Sequence, residues 1–111
     1  ILEHGNFVVA MNNLLAYRDR FVPVRRPSPE GLHYLKLRKI VPDIVFIDAN
    51  KELADVETAC ELFPDALICG DDWNWRNPKT NTLDMQNILN EFCARTGFVV
   101  DAEKATWILR R

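Results

Sequence analysis

DIVFIDANKELADVETACELFPDALICGDDW, from Asp43 to Trp73, contains two short apolar runs with a helix-like segment between them. The runs, Ile44 to Ile47 and Ala66 to Cys69, each end in acid, at Asp48 and at Asp71 with Asp72. An unbroken β-branched and aromatic run suits a strand buried on both faces, as in parallel sheets covered by helices. The stretch therefore reads as strand, helix, strand with carboxylates at both strand tips. In open α/β sheets the ligand crevice lies beyond the carboxyl ends of the strands, which makes Asp48, Asp71 and Asp72 the candidate site. Three carboxylates converging there repel one another unless something positive sits between them, and Mg²⁺ or a similar hard cation prefers oxygen ligands. A plainer reading stands beside this one: Asp48 caps the following helix, and Asp71 and Asp72 start a solvated loop.

Outward from this stretch toward the C-terminus, GDDWNWRNPKTNTLD has no periodicity and carries Gly70, Pro78 and several Asn and Thr residues, so it reads as a surface loop. Its length and its tryptophans single out Trp73, Trp75 and Arg76 as substrate- or partner-facing residues. Leu83, Met85, Ile88, Leu89, Phe92 and Cys93 then recur at helical spacing up to Thr96, with Gly97 as the C-cap. FVVDAEKATWILRR ends the chain as two short strands around Ala102 to Lys104. So short a connection makes them an antiparallel hairpin, with Trp107 in the core. Between the two acidic strand tips, Leu53, Val56, Cys60 and Leu62 or Phe63 form one apolar stripe, with Lys51, Glu52, Asp55, Glu57 and Glu61 mostly toward solvent.

Toward the N-terminus, Phe7 to Tyr17 reads as a helix packed on a sheet, because Phe7, Met11, Leu14 and Leu15 share one face. Phe21 to Arg25 reads as an edge strand, since Pro23 lacks a ladder donor. Ser28, Pro29 and Glu30 carry the signature of a helix start, with Leu32, Leu35 and Ile40 turned inward and Pro42 as the stop. Arg25 and Arg26 are most simply solubilising charges, with anion binding as the lesser alternative.

The 111 residues fit one domain, 1–111, and 48% of them are apolar, enough to bury a core. A net charge of −2 and the lack of a basic run disfavour nucleic acid. No apolar run approaches the roughly 20 residues of a membrane helix. Cys60, Cys69 and Cys93 are odd in number, far apart and set among apolar neighbours, as expected of reduced thiols in a cytoplasmic protein. His4 and His33 have no partner that would suggest zinc or catalysis. The chain begins at Ile1 rather than a methionine, which leads us to expect further sequence upstream.

Ile47-Asp48-Ala49-Asn50-Lys51 and Ala66-Leu67-Ile68-Cys69-Gly70-Asp71-Asp72-Trp73, with the closing helix, the hairpin and Trp107 before Arg110 and Arg111, resemble the C-terminal part of class I S-adenosylmethionine-dependent methyltransferases. The nearest likeness is to the metal-dependent O-methyltransferases of the macrocin and sugar type, in which one strand ends in IDGDH or IDADH and the next in a motif such as GGxxxGDDY. The resemblance runs from about Phe21 to the C-terminus. It implies a three-layer α/β fold with a mixed, mainly parallel sheet that ends in the antiparallel hairpin. It also implies S-adenosylmethionine as methyl donor and a divalent metal on Asp48, Asp71 and Asp72. Asn50 falls where relatives often place a second carboxylate that can act as general base, and an amide cannot accept that proton near neutral pH. Lys51 stands where a histidine is frequent.

The family's first strand ends in a glycine-rich turn that approaches the cofactor, and the four glycines here form no G-x-G. The expected architecture is thus a truncated Rossmann-like domain without its cofactor half, a fragment or non-catalytic relative whose independent activity is doubtful. The missing strands would leave the central strand paired with Phe21 to Arg25 or open at its edge. An open edge invites a homodimer or a partner subunit. A binding or assembly module that works through that edge is the alternative function. A receiver-like signalling domain ranks last, because the acidic pair and the lysine it needs are not in place.

Overall fold

The structure is a computed structural model that describes residues 3–111, with side chains from residue 5 onward, so His4 falls outside the side chains described. Four helices and four strands follow in order: α1 (Glu3–Leu14), α2 (Glu30–Leu37), β1 (Ile44–Ile47), α3 (Leu53–Leu62), β2 (Leu67–Gly70), α4 (Asp84–Thr96), β3 (Val99–Glu103) and β4 (Thr106–Arg110). A single 3₁₀ turn, Leu15–Tyr17, continues α1. The sheet order is β1-β2-β4-β3.

β1 and β2 run parallel, with Ile44 opposite Leu67 and Ile47 opposite Gly70, because α3 supplies the crossover that parallel strands need. β4 returns antiparallel beside β2 and pairs with β3 through a tight turn at Lys104, whose φ of 55° lies in the left-handed region. The expected mixed α/β sheet and closing hairpin are both present. The expected predominance of parallel pairing is not, since one pairing is parallel and two are antiparallel.

α3 and α4 cover one face of the sheet. There Val56, Ala59 and Phe63 meet Met85, Leu89 and Phe92 over Ile47, Ile68, Trp107 and Leu109, and each such large side chain contributes about 1.5–3 kcal/mol by leaving water. The apolar stripes read from α3 and α4 thus fall on the core. Gly97, at φ 82°, closes α4 with its N–H on the Cys93 carbonyl at 3.0 Å, as expected.

The expected three layers are two among the described residues. Ile44 is 60% exposed and Phe46 56%, so β1 is not buried on both faces. Phe21 to Arg25 forms no strand, and among the described residues the outer edge of β1 stays unpaired. Pro23 breaks the ladder, and the apolar pieces on either side of it, Phe21-Val22 and the lone Val24, gain too little from pairing. α1 packs on no strand, and its Val8, Val9 and Leu14 face solvent. Ile40, expected inward, is also exposed, whereas Leu32 and Leu35 of α2 do pack on the core.

Ser28 departs from its expected role as the cap of α2. Pro29 occupies the cap position and makes no side-chain bond, while the Ser28 hydroxyl donates to Oδ1 of Asp55 at 2.5 Å. Asp55, grouped with the solvent-facing acids of α3, is 1% exposed. A buried carboxylate keeps its place only with a donor aimed at it, and Ser28 brings that donor from 27 residues away. The bond ties the segment before α2 to the first turn of α3.

Candidate metal centre

β1 and β2 end side by side, and their parallel register sets the acids next to one another. Ile47 pairs with Gly70, so Asp48 and Asp71 both leave the sheet at its carboxyl edge. The Asp71 amide donates to the Ile47 carbonyl at 3.1 Å and extends the ladder by one more bond. Asp72 then turns at φ 69°, a left-handed conformation that aspartate tolerates better than most residues. One ligand oxygen each from Asp48, Asp71 and Asp72 lies within 4.8 Å of the others.

Trp107 holds this corner from beneath. Its indole Nε1 donates to the Asp71 carbonyl at 2.9 Å while the ring is wholly buried. Gly70 is required by the same contact: a Cβ there would stand 2.5 Å from both the Ile47 carbonyl and the Trp107 ring. The Trp73 amide donates to the Ala105 carbonyl at 2.9 Å, which anchors the start of the loop to the hairpin turn.

Lys51 is the residue at this site whose part the sequence did not reveal. Its Nζ lies 2.9 Å from Oδ2 of Asp72 and 4.4 Å from the centre of the Trp75 ring. Three carboxylates and one ammonium leave a formal charge of −2 at the strand tips. All three donors are hard oxygens, and ligands at 2.3–2.6 Å from one ion stand at most roughly 5 Å apart, so the set fits a divalent cation. Asp48 does not cap α3, whose cap residue is Glu52. Asn50 is exposed beside the site.

The loop of residues 71–83 is held by its own bonds. Asn77 Nδ2 and the Thr82 hydroxyl donate to the two oxygens of Asp84, at 2.8 and 2.5 Å, and the Lys79 amide donates to Asn77 Oδ1 at 2.9 Å. The bonds from Thr82, then from Asn77, hold the Asp84 carboxyl below the ordinary aspartate range, with Lys51 adding a smaller attraction. Asn77 was legible as a turn residue before Pro78, but its partner seven positions on was not. Trp73 packs against the core, Trp75 lies under Lys51, and Arg76 Nη1 donates to the Asn81 carbonyl at 2.8 Å. All three are thus engaged within the molecule.

The three cysteines are free and partly buried, and burial pushes each thiol above its ordinary pKa. Among the described residues no helix is long and apolar enough to cross a membrane. No family model, no curated protein and no solved structure matches the chain.

Proposed function

We propose that this chain is the carboxylate-bearing half of a Rossmann-like, S-adenosylmethionine-dependent O-methyltransferase unit, with no turnover of its own. The observation that carries the reading is the convergence of Asp48, Asp71 and Asp72 at the carboxyl ends of two parallel strands. A divalent cation bound there would polarise an acceptor hydroxyl. The chain's own residues divide the remaining work. Asp48, Asp71 and Asp72 hold the cation, Lys51 fixes the Asp72 carboxylate, and the Trp107 indole fixes the backbone of Asp71. No residue at the position of Asn50 takes the acceptor proton, since an amide is not a base. The unpaired edge of β1 supports the same reading, because the cofactor-binding strands of the family it resembles would belong there. Three free thiols suit the reducing cytoplasm.

A second reading is favoured by a different observation. The open β1 edge and the exposed Ile44 and Phe46 make an assembly surface for a second copy or a partner subunit, whether or not metal binds.

Isothermal titration with Mg²⁺ and with S-adenosylmethionine separates the two, on a sample whose mass light scattering has fixed. Saturable one-to-one Mg²⁺ binding, lost in Asp71→Asn, is expected, with no heat from S-adenosylmethionine alone. Equal Mg²⁺ binding by Asp71→Asn would sink the metal assignment. Cofactor binding by the chain alone would sink the claim that its donor half is missing. Silence to both in a stable dimer would leave the assembly reading.

A further inference from the structure

Two apolar surfaces of this chain lack cover among the described residues, one on the sheet and one on α1. On the bare side of the sheet Ile44 stands opposite Leu67, Phe46 opposite Cys69, and Cys69 opposite Ile108. Five apolar side chains on three neighbouring strands thus form one patch. Strands lie about 4.8 Å apart, so the row Phe46, Cys69, Ile108 is about 10 Å wide, which is the diameter of one helix. Asp101, opposite Ile108 and bonded by Arg110, ends the patch on the β3 side.

On α1, Val8, Met11 and Leu15 follow at helical spacing with Leu14 beside them. Among the described residues α1 meets no strand and no other α-helix of its own copy. Phe7, at the margin of this stripe, lies beneath the Arg25 guanidinium at 4.0 Å, while Val8, Leu14 and Leu15 stay in water. A helix of 12 residues is marginal in water without an apolar neighbour.

We propose that two copies of this chain associate by exchange, the α1 of each lying across the bare β1–β2 face of the other. The exchange rests on the assembly reading and makes the partner a second copy. Area favours a reciprocal arrangement. Val8, Leu14 and Leu15 are 38–58% exposed, and Ile44, Phe46 and Leu67 are 41–60% exposed. Together the six leave roughly 500 Å² in water, at about 150–200 Å² for a large apolar residue without neighbours. A stable interface takes about 800 Å² from each partner, a little over half of it non-polar. One helix on one patch, or patch against patch, supplies half of that apolar area and leaves the remaining surface bare. The exchange covers both surfaces on both copies.

The chain's own α1 is a poorer occupant of the patch. α2 packs on α3, on the covered side of the sheet, and Ser28 ties the segment before α2 to Asp55 of α3. The connection to α1 therefore leaves from the covered side. It would have to pass round an edge of the sheet to bring α1 against its own bare face, whereas the α1 of a second copy meets no such detour.

The test is light scattering of the purified chain over a concentration series. A monomer–dimer equilibrium is expected, with Leu15→Asp and Phe46→Asp each weakening dimerisation at least tenfold. Both side chains are more than half exposed, so neither change strikes the core. Leu37→Asp, at a still more exposed apolar position outside both surfaces, should leave the dimer intact. An equimolar mixture of Leu15→Asp and Phe46→Asp should dimerise at least tenfold more tightly than either variant alone, since one sound helix then meets one sound patch. A wild-type chain that stays monomeric throughout would overturn the exchange and the assembly reading together. A dimer that Leu15→Asp leaves intact, or a mixture no tighter than its components, would overturn the exchange and leave assembly through the β1 edge. Loss of the dimer in Leu37→Asp as well would overturn the exchange by showing association without a specific surface.

Discussion

On the covered face of the sheet Ile47, Ile68, Trp107 and Leu109 are almost wholly buried under α3 and α4, whereas on the other face, one residue along in β1, Ile44 and Phe46 stand more than half exposed. Successive strand residues point to opposite faces, so the contrast comes from the covering helices and not from the strands. β1 reads IVFI and is apolar on both sides, as if made for two covers. Only one cover is present among the described residues. A cavity of about 700 Å³, lined in part by Cys69, Asp101, Thr106 and Ile108, opens on the bare side. Composition alone thus equips a strand for burial, and only topology decides whether burial occurs.

The contrast can be broken most directly at Trp107. Trp107→Ala should cost about 3–5 kcal/mol of unfolding free energy in urea, because it empties the covered face and removes the bond to the Asp71 carbonyl. Gly70→Ala should follow at about 1–3 kcal/mol, since the added methyl collides with backbone and ring together. It should also weaken any metal binding, as it displaces the strand end that carries Asp71. Asp55→Ala, which strips the buried partner of Ser28, should lose about 1–3 kcal/mol, and Ser28→Ala should lose less on a background that already lacks Asp55.

The bare face sharpens the comparison from the other direction. Phe46→Thr should change stability by less than about 0.5 kcal/mol in the isolated chain. A cost near that of a core residue would mean that the face is covered in solution, and light scattering would then find an oligomer that the variant loses. The smallest effect is expected at Asp84. Its folded pKa is depressed by Thr82 and Asn77, so its contribution is present above the ordinary aspartate range and is lost as the pH falls through the lowered folded value. Asp84→Asn should flatten the acid limb of a stability profile by slightly lowering stability at neutral pH, and leave it nearly unchanged below the lowered folded value.

Much of the covered half was legible because its signals are local. The stripe Leu53, Val56, Cys60 and Phe63, the run up to Phe92 with Gly97 after it, and the hairpin around Lys104 each carry their periodicity or turn chemistry within a dozen residues. The acids were legible as a set for the same reason, each standing at the end of an apolar run. Pairings across long sequence distances were not. Nothing near Ser28 announces Asp55, and nothing near Lys51 announces Trp75. Phe21 to Arg25 misled because its apolar content suits a strand, while its pairing depends on neighbours that the described residues do not provide. The third layer was inferred from the apolar character of β1, a property of one strand that says nothing about what lies against it.

The stacking of Lys51 on Trp75 also has an optical consequence. Indole emission shifts with the electric field across the ring, and an ammonium group 4.4 Å from the ring centre is a large, one-sided source of such a field. A cation bound through Asp72 would share that carboxylate with Lys51 and so change the field at the Trp75 ring. Trp107, sealed in the core, has no charged group against its ring, though its N–H is bonded to the Asp71 carbonyl. With only three tryptophans in the chain, replacement of Trp75 by phenylalanine identifies its share of the emission, so occupancy of the strand tips can be followed by the protein's own fluorescence.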